Sequence, residues 1–104
     1  MTHEELIRAI RLDLAAEHEA VHTYLAHADA TENPLAKAVL IDIANEERVH
    51  AGEFDRLLSI LTGDEDVYLS RGAKEVDVIA AKIGQAVQVP DTGTTIGSLK
   101  PGQG

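Results

Sequence analysis

The sequence predicts an all-α protein: an antiparallel two-helix hairpin that dimerises, followed by a shorter helix and a disordered tail. Two observations predict the hairpin. Two long segments repeat apolar residues every three to four positions, and a short polar turn separates them. With 104 residues and no internal repeat, the chain is one small domain, which alone buries a limited share of its apolar surface. Self-association would therefore stabilise it.

The first helix is predicted from Thr2 to about Ala30. Thr2 followed by Glu5 is a capping-box signature, and neither Gly nor Pro interrupts the helical pattern that follows. The stretch from Thr31 to Asn33 breaks this pattern and predicts a tight turn.

The second helix is predicted from Pro34 to Leu61. Asn33 is a suitable N-cap, and Pro34 at the first helical position loses no hydrogen bond because that N–H has no partner within the helix. Thr62-Gly63 ends the helix. Two long helices joined by a short turn run antiparallel.

The remaining chain is predicted to hold a short helical region and a tail. Residues 64–85 have a helical pattern that Gly72 interrupts, which predicts one or two shorter helices. From Pro90 onward the apolar content is too low for packing. We therefore expect a helical domain over residues 1–85 and a flexible tail over residues 86–104.

Composition narrows the classes of function. Nine basic against 18 acidic residues give a net charge of -9, which argues against nucleic acid or an anionic membrane as partner and favours cations. The lack of cysteine excludes disulfides, iron–sulfur clusters and thiolate zinc sites, so carboxylates and imidazoles would hold any metal, as suits iron or manganese. No apolar run approaches the ~20 residues that span a bilayer, and no signal peptide opens the chain. We expect a soluble cytoplasmic protein.

Three metal-ligand side chains interrupt the apolar seams of the two helices. The predicted seam of the first helix is Ile7, Ile10, Leu14, Glu17, Val21, Tyr24 and Ala28. The predicted seam of the second is Ala36, Leu40, Ile43, Glu47, His50, Phe54, Leu57 and Leu61. Glu17 and Glu47 are each roughly 22 Å from the turn at ~1.5 Å per residue, so they and His50 should meet at one level.

This convergence predicts a metal pair shared between two chains. Leaving two carboxylates unpaired in an apolar layer is costly, so a positive charge must compensate them. One hairpin carries half of the ligand set of di-iron bundles, in which two helices supply Glu and two supply Glu-x-x-His. A two-fold dimer completes the set, and its four glutamates balance two divalent cations. The alternative is a metal-free polar network that fixes helix register.

Two segments resemble the encapsulated ferritins of the ferritin-like superfamily. They are Glu17-His18-Glu19-Ala20-Val21-His22-Thr23-Tyr24 and Glu46-Glu47-Arg48-Val49-His50-Ala51, at the spacing of that family. The resemblance implies a ferritin-like four-helix bundle assembled from two hairpins, with a ferroxidase site at their interface. It also implies a ring of dimers, expected to be a decamer, that encloses no mineral cavity of its own.

The resemblance assigns roles to single residues. Glu17, Glu47 and His50 would be ligands of two iron ions at each dimer interface. Tyr24 would either hydrogen-bond near the site or pack in the core. Glu19 matches a position where metals collect on their way to the site.

The chain departs from the family pattern around Glu19. Ala16 stands where the family usually has a second carboxylate, and Thr23 replaces an aromatic residue, so Glu19 lacks its usual neighbours. His18 and His22 lie at i and i+4 and could bind a metal together, but this pattern alone favours ordinary exposed histidines.

The tail contains a segment, residues 94–100, that resembles the cargo-loading peptide of encapsulin nanocompartments. Ile96 and Leu99 are spaced to fill two pockets of a shell protein, and Gly97, followed by Ser98, lets the backbone lie close. The alternative is a featureless tail that contains two aliphatic residues.

These observations predict a ferroxidase that oxidises Fe(II) and delivers iron for mineral storage inside an encapsulin shell. Three alternatives remain open. The first is a helical dimer that metal holds together without catalysis. The second is a rubrerythrin-like peroxidase, although that branch commonly carries a cysteine-containing domain. The third is an interaction protein without metal.

Overall fold

The structure, a computed structural model, describes residues 1–84. This part of the chain contains three helices and no strand: α1 (His3–Ala30), α2 (Pro34–Thr62) and α3 (Glu65–Lys82). The predicted all-α class and the predicted long helices are confirmed. The predicted tail over residues 86–104, including the docking segment 94–100, lies outside the described residues.

Local capping sets the limits of the two long helices. At the start of α1 the backbone N–H of Glu5 donates to Thr2 Oγ1 at 3.1 Å, and the N–H of Thr2 donates to Glu5 Oε1 at 2.7 Å. At the start of α2 the N–H of Ala36 donates to Asn33 Oδ1 at 2.9 Å. The C-cap of α2 is Gly63 at φ 79°, a left-handed conformation that glycine adopts without steric cost.

Helices α1 and α2 pack against each other along most of their length. The most buried residues are Ile10, Ala28, Ala44, Ala51 and Leu58. The whole predicted seam of α1 is buried or half-buried, as expected. The most buried row of α2 repeats every seven residues and consists of Ala44, Ala51 and Leu58. Each of these residues directly follows a residue of the predicted seam, namely Ile43, His50 or Leu57.

Six of the eight residues of the predicted α2 seam are half-buried, and the prediction is wrong at the other two. His50 and Leu57 belong to that predicted seam but are exposed. The apolar sector of α2 is wider than α1 covers, and the row that α1 covers contains two small residues, Ala44 and Ala51. The uncovered part of the sector, around His50, stays open to solvent in one chain.

Of the one or two shorter helices predicted over residues 64–85, the structure has one, α3, and the predicted interruption at Gly72 is absent from it. A single glycine in a helix costs only about 1 kcal/mol relative to alanine. The described chain divides into two compact units, Met1–Asp66 and a second that begins at Val67. No helix within residues 1–84 combines the length and apolar character needed to cross a membrane.

Candidate metal centre

The hairpin brings three ligand-type side chains from two helices to one place. Glu17 lies at the middle of α1, while Glu47 and His50 lie one turn apart in α2. One ligand atom from each of these three residues lies within 4.8 Å of the others. Within residues 1–84 this is the one such group of three metal-ligating side chains. The predicted convergence is therefore observed.

One ring nitrogen of His50 lies close to both carboxylates. Its Nδ1 is 3.1 Å from Glu47 Oε1, a hydrogen bond when Nδ1 carries the proton. The same nitrogen is 3.6 Å from Glu17 Oε1. When it is protonated, this ring offsets part of the negative charge of the two carboxylates.

The proximity of these groups shifts their protonation equilibria. The pKa of Glu17 is raised, mainly by its hydrogen bond with Glu47, then by desolvation and the negative charge of Glu47. The pKa of Glu47 is lowered, mainly by the hydrogen bond with Glu17 and also by that with His50. Because two like charges at short distance repel each other, Glu17 is protonated more readily than Glu47.

The pKa of His50 is raised from its ordinary value of 6.5, mainly by the hydrogen bond to Glu47 and then by nearby negative charges, against partial desolvation. One of those charges belongs to Glu53, which follows His50 by three residues in α2. Sequence reasoning missed Glu53, although its i, i+3 spacing from His50 is visible in the sequence.

The donor set fits a divalent cation of the iron or manganese type. Carboxylate oxygens suit manganese and magnesium, imidazole suits iron and zinc, and their combination suits iron. Three protein groups leave part of the coordination sphere of such an ion open. The exposed fraction of the side chain is 18% for Glu17, 20% for Glu47 and 49% for His50, so the centre is open on the His50 side.

The other predicted site residues do not join this group. Tyr24 is half-buried in the α1 seam, and its hydroxyl makes no hydrogen bond within the part of the chain that the structure describes. Glu19 is exposed, as are Ala16, His18 and His22. Their predicted roles remain predictions.

Comparison with known proteins identifies the family. The family model for rubrerythrin matches residues 2–89. The chain belongs to the rubrerythrin family. A member of this ferritin-like family is expected to build its fold from long packed helices, as α1 and α2 do.

Two curated relatives of this rubrerythrin-family chain carry encapsulin names. It is 38% identical over 81 residues to the "Encapsulin nanocompartment cargo protein EncC" of Myxococcus xanthus. The matched residues make up 78% of this chain and 62% of that protein. It is 37% identical over 75 residues to the "Ferritin-like-encapsulin shell fusion protein" of Pyrococcus furiosus. The matched residues make up 72% of this chain and 22% of that protein. The chain thus spans less than two thirds of the length of either relative.

A solved structure shows the same similarity. The crystal structure of the encapsulated ferritin domain from Pyrococcus furiosus superimposes with a TM-score of 0.76 at 34% sequence identity, covering 78% of this chain and 83% of that one. The predicted resemblance of this rubrerythrin-family chain to the encapsulated ferritins is confirmed.

Proposed function

We propose that this chain is a ferroxidase that oxidises Fe(II) at a two-iron site shared between two copies of itself. The observation that carries the proposal is the convergence of Glu17, Glu47 and His50 from two helices, with their ligand atoms within 4.8 Å. Membership of a ferritin-like family supports an iron-related role. Iron is the substrate in this proposal, and the chain supplies its ligands.

The second copy is needed because one hairpin supplies only half of a two-iron ligand set. The centre is open where His50 lies, and large apolar side chains are exposed on the same edge of α2. These exposed residues include Val39, Leu57 and Ile60. Their helical spacing places them on the same side of α2 as His50, as in a packing face. A two-fold dimer along this edge would cover these residues and add a second set of three ligands.

The negative charge of the carboxylate ligands favours the oxidation of Fe(II). Four carboxylates and two neutral imidazoles in the dimer balance two Fe(II), and their negative charge stabilises Fe(III) further. Each of two Fe(II) loses one electron, and dioxygen accepts both electrons with two protons to form hydrogen peroxide. The half-buried Leu14, Ile43 and Phe54 should limit access of water to the site.

Stopped-flow measurement of ferric absorbance after mixing with Fe(II) in air tests the activity. Glu47→Gln should lower the initial rate at least about tenfold, because it removes a ligand charge. Glu46→Gln is the matched control, since it makes the same change at the exposed neighbouring position. An unchanged rate in Glu47→Gln would refute the site. Metal-dependent dimerisation without oxidation would instead indicate a non-catalytic dimer that metal holds together.

Hydrogen peroxide is a second candidate oxidant, which the rubrerythrin family match favours. In that reaction peroxide accepts two electrons and two protons and becomes two molecules of water. Oxidation of Fe(II) by peroxide under argon, compared with oxidation by dissolved oxygen at equal concentration, separates the two. Faster turnover with peroxide, without peroxide release in air, would make the chain a peroxidase.

We further propose that the chain is a cargo of an encapsulin shell, where the ferric product accumulates as mineral. One relative is named an encapsulin cargo protein, and another is named a fusion of ferritin-like and shell parts. In this chain the connection would be non-covalent, through residues 94–100. Because this segment lies outside the described residues, its sequence resemblance alone supports the docking role.

Co-expression with the cognate encapsulin shell protein tests the docking segment. Ile96→Asp and Leu99→Asp should abolish co-elution of the chain with assembled shells, because a charge cannot enter an apolar pocket without cost. Gln103→Ala, outside the segment, is the control. Shell loading that survives both aspartate substitutions would exclude this docking mode.

A further inference from the structure

A histidine pair on α1 forms a candidate ligand set outside the carboxylate centre. His18, Glu19 and His22 make the pattern His-Glu-x-x-His, which on a helix places two imidazoles one turn apart. α1 is continuous from His3 to Ala30, so this spacing is realised in the structure. Sequence alone favoured two ordinary exposed histidines, because most exposed histidines bind no metal.

The structure leaves both rings available. Both histidines are exposed, and within residues 1–84 neither takes part in a hydrogen bond or an ion pair, unlike His3 and His50. At about 100° per residue, His18 and His22 are separated by about 40° around the helix axis. By the same arithmetic both point roughly 100° or more away from the direction of Glu17, which faces α2. The pair and the carboxylate centre are therefore separate.

We propose that His18 and His22 chelate one late first-row divalent cation, Ni(II), Cu(II) or Zn(II), on the exposed face of α1. Imidazole nitrogens prefer these ions to manganese, whereas the carboxylate-rich centre also accepts manganese. Two histidines at i and i+4 point the same way along one face, so one ion contacts both rings without distortion of the helix. Water completes the coordination.

The same motif serves metallopeptidases, but it does not indicate hydrolysis in this chain. A catalytic zinc site needs three protein ligands. Within residues 1–84 no third metal-ligating side chain converges with the pair, because the one group of three is Glu17, Glu47 and His50. The role of the pair is binding.

Titration of the full chain with Ni(II) by calorimetry tests the proposal. Wild type should show a binding class that His18→Ala and His22→Ala each weaken at least about tenfold, because the second ligand of a chelate binds at high effective concentration. The double variant should lose this binding altogether, because no imidazole of the pair remains. His27→Ala, an exposed histidine nearer the end of α1, should leave the class intact, and so should Glu47→Gln.

A second measurement does not depend on variants. In NMR spectra of the wild-type chain, substoichiometric Ni(II) should broaden the imidazole signals of His18 and His22 together. Unaffected binding in the double variant, a loss of only about twofold in each single variant, or broadening of just one ring would overturn the chelate.

Discussion

Lowering the pH should release the cation from the proposed centre, with His50 as the responsible group. The raised pKa of His50 comes mainly from its hydrogen bond to Glu47. Its protonated form therefore stabilises the metal-free fold below the ordinary pKa of 6.5, and this contribution is lost as the pH rises through the raised value. Metal binding needs the neutral imidazole, so affinity must fall as the pH falls through the raised pKa.

The magnitude follows from the number of protons displaced. Each set of three ligands holds one imidazole, so one proton per cation competes in this range. Below the raised pKa the affinity falls about tenfold per pH unit for one competing proton. Between about pH 7.5 and pH 6 the dissociation constant should therefore rise by up to about thirtyfold. The ordinary pKa of the Glu17 and Glu47 carboxyl groups, 4.5, is far below that of His50, so His50 is the group expected to compete with the cation in this range.

Mn(II) is the suitable probe, because carboxylates suit it and air does not oxidise it readily. The electron paramagnetic resonance signal of free Mn(II) reports the unbound fraction at each pH. His50→Gln should bind weakly with little pH dependence, and His27→Gln should keep the wild-type dependence. A dissociation constant that stays constant from about pH 7.5 to pH 6 would refute the competition between proton and cation.

Three further predictions concern packing and association. Leu58→Ala, at a side chain only 1% exposed, should lower the free energy of unfolding by about 2–4 kcal/mol in urea titrations, because it opens a cavity between the helices. Leu12→Ala, at 72% exposure, should change it by less than about 0.5 kcal/mol, and equal effects would contradict the packing described. Gly63→Ala should lower the free energy of unfolding by about 1–2 kcal/mol in the same assay, because alanine is strained at the positive φ of this position. An unchanged free energy of unfolding would mean that the turn relaxes. Leu57→Asp should weaken dimers in analytical ultracentrifugation while helicity by circular dichroism is kept, and an unchanged dimer would exclude the shared site.

The sequence by itself determined where the long helices begin and end. The Thr2 and Glu5 capping box, Asn33 before Pro34, and Gly63 act within a few residues, so no tertiary information is needed to recognise them. It also determined the meeting of Glu17 with Glu47, because helical rise fixes heights along an antiparallel hairpin.

Only the tertiary structure decided which row of α2 packs and which stays open. The apolar sector of α2 is wider than one partner helix, and the row that packs includes Ala44, Ala51 and Leu58, which sequence periodicity did not select. That choice leaves His50 half-exposed at the edge of the centre. It also sets which carboxyl group has the raised pKa and which the lowered, because pKa shifts depend on distances between helices, which no spacing along the chain specifies.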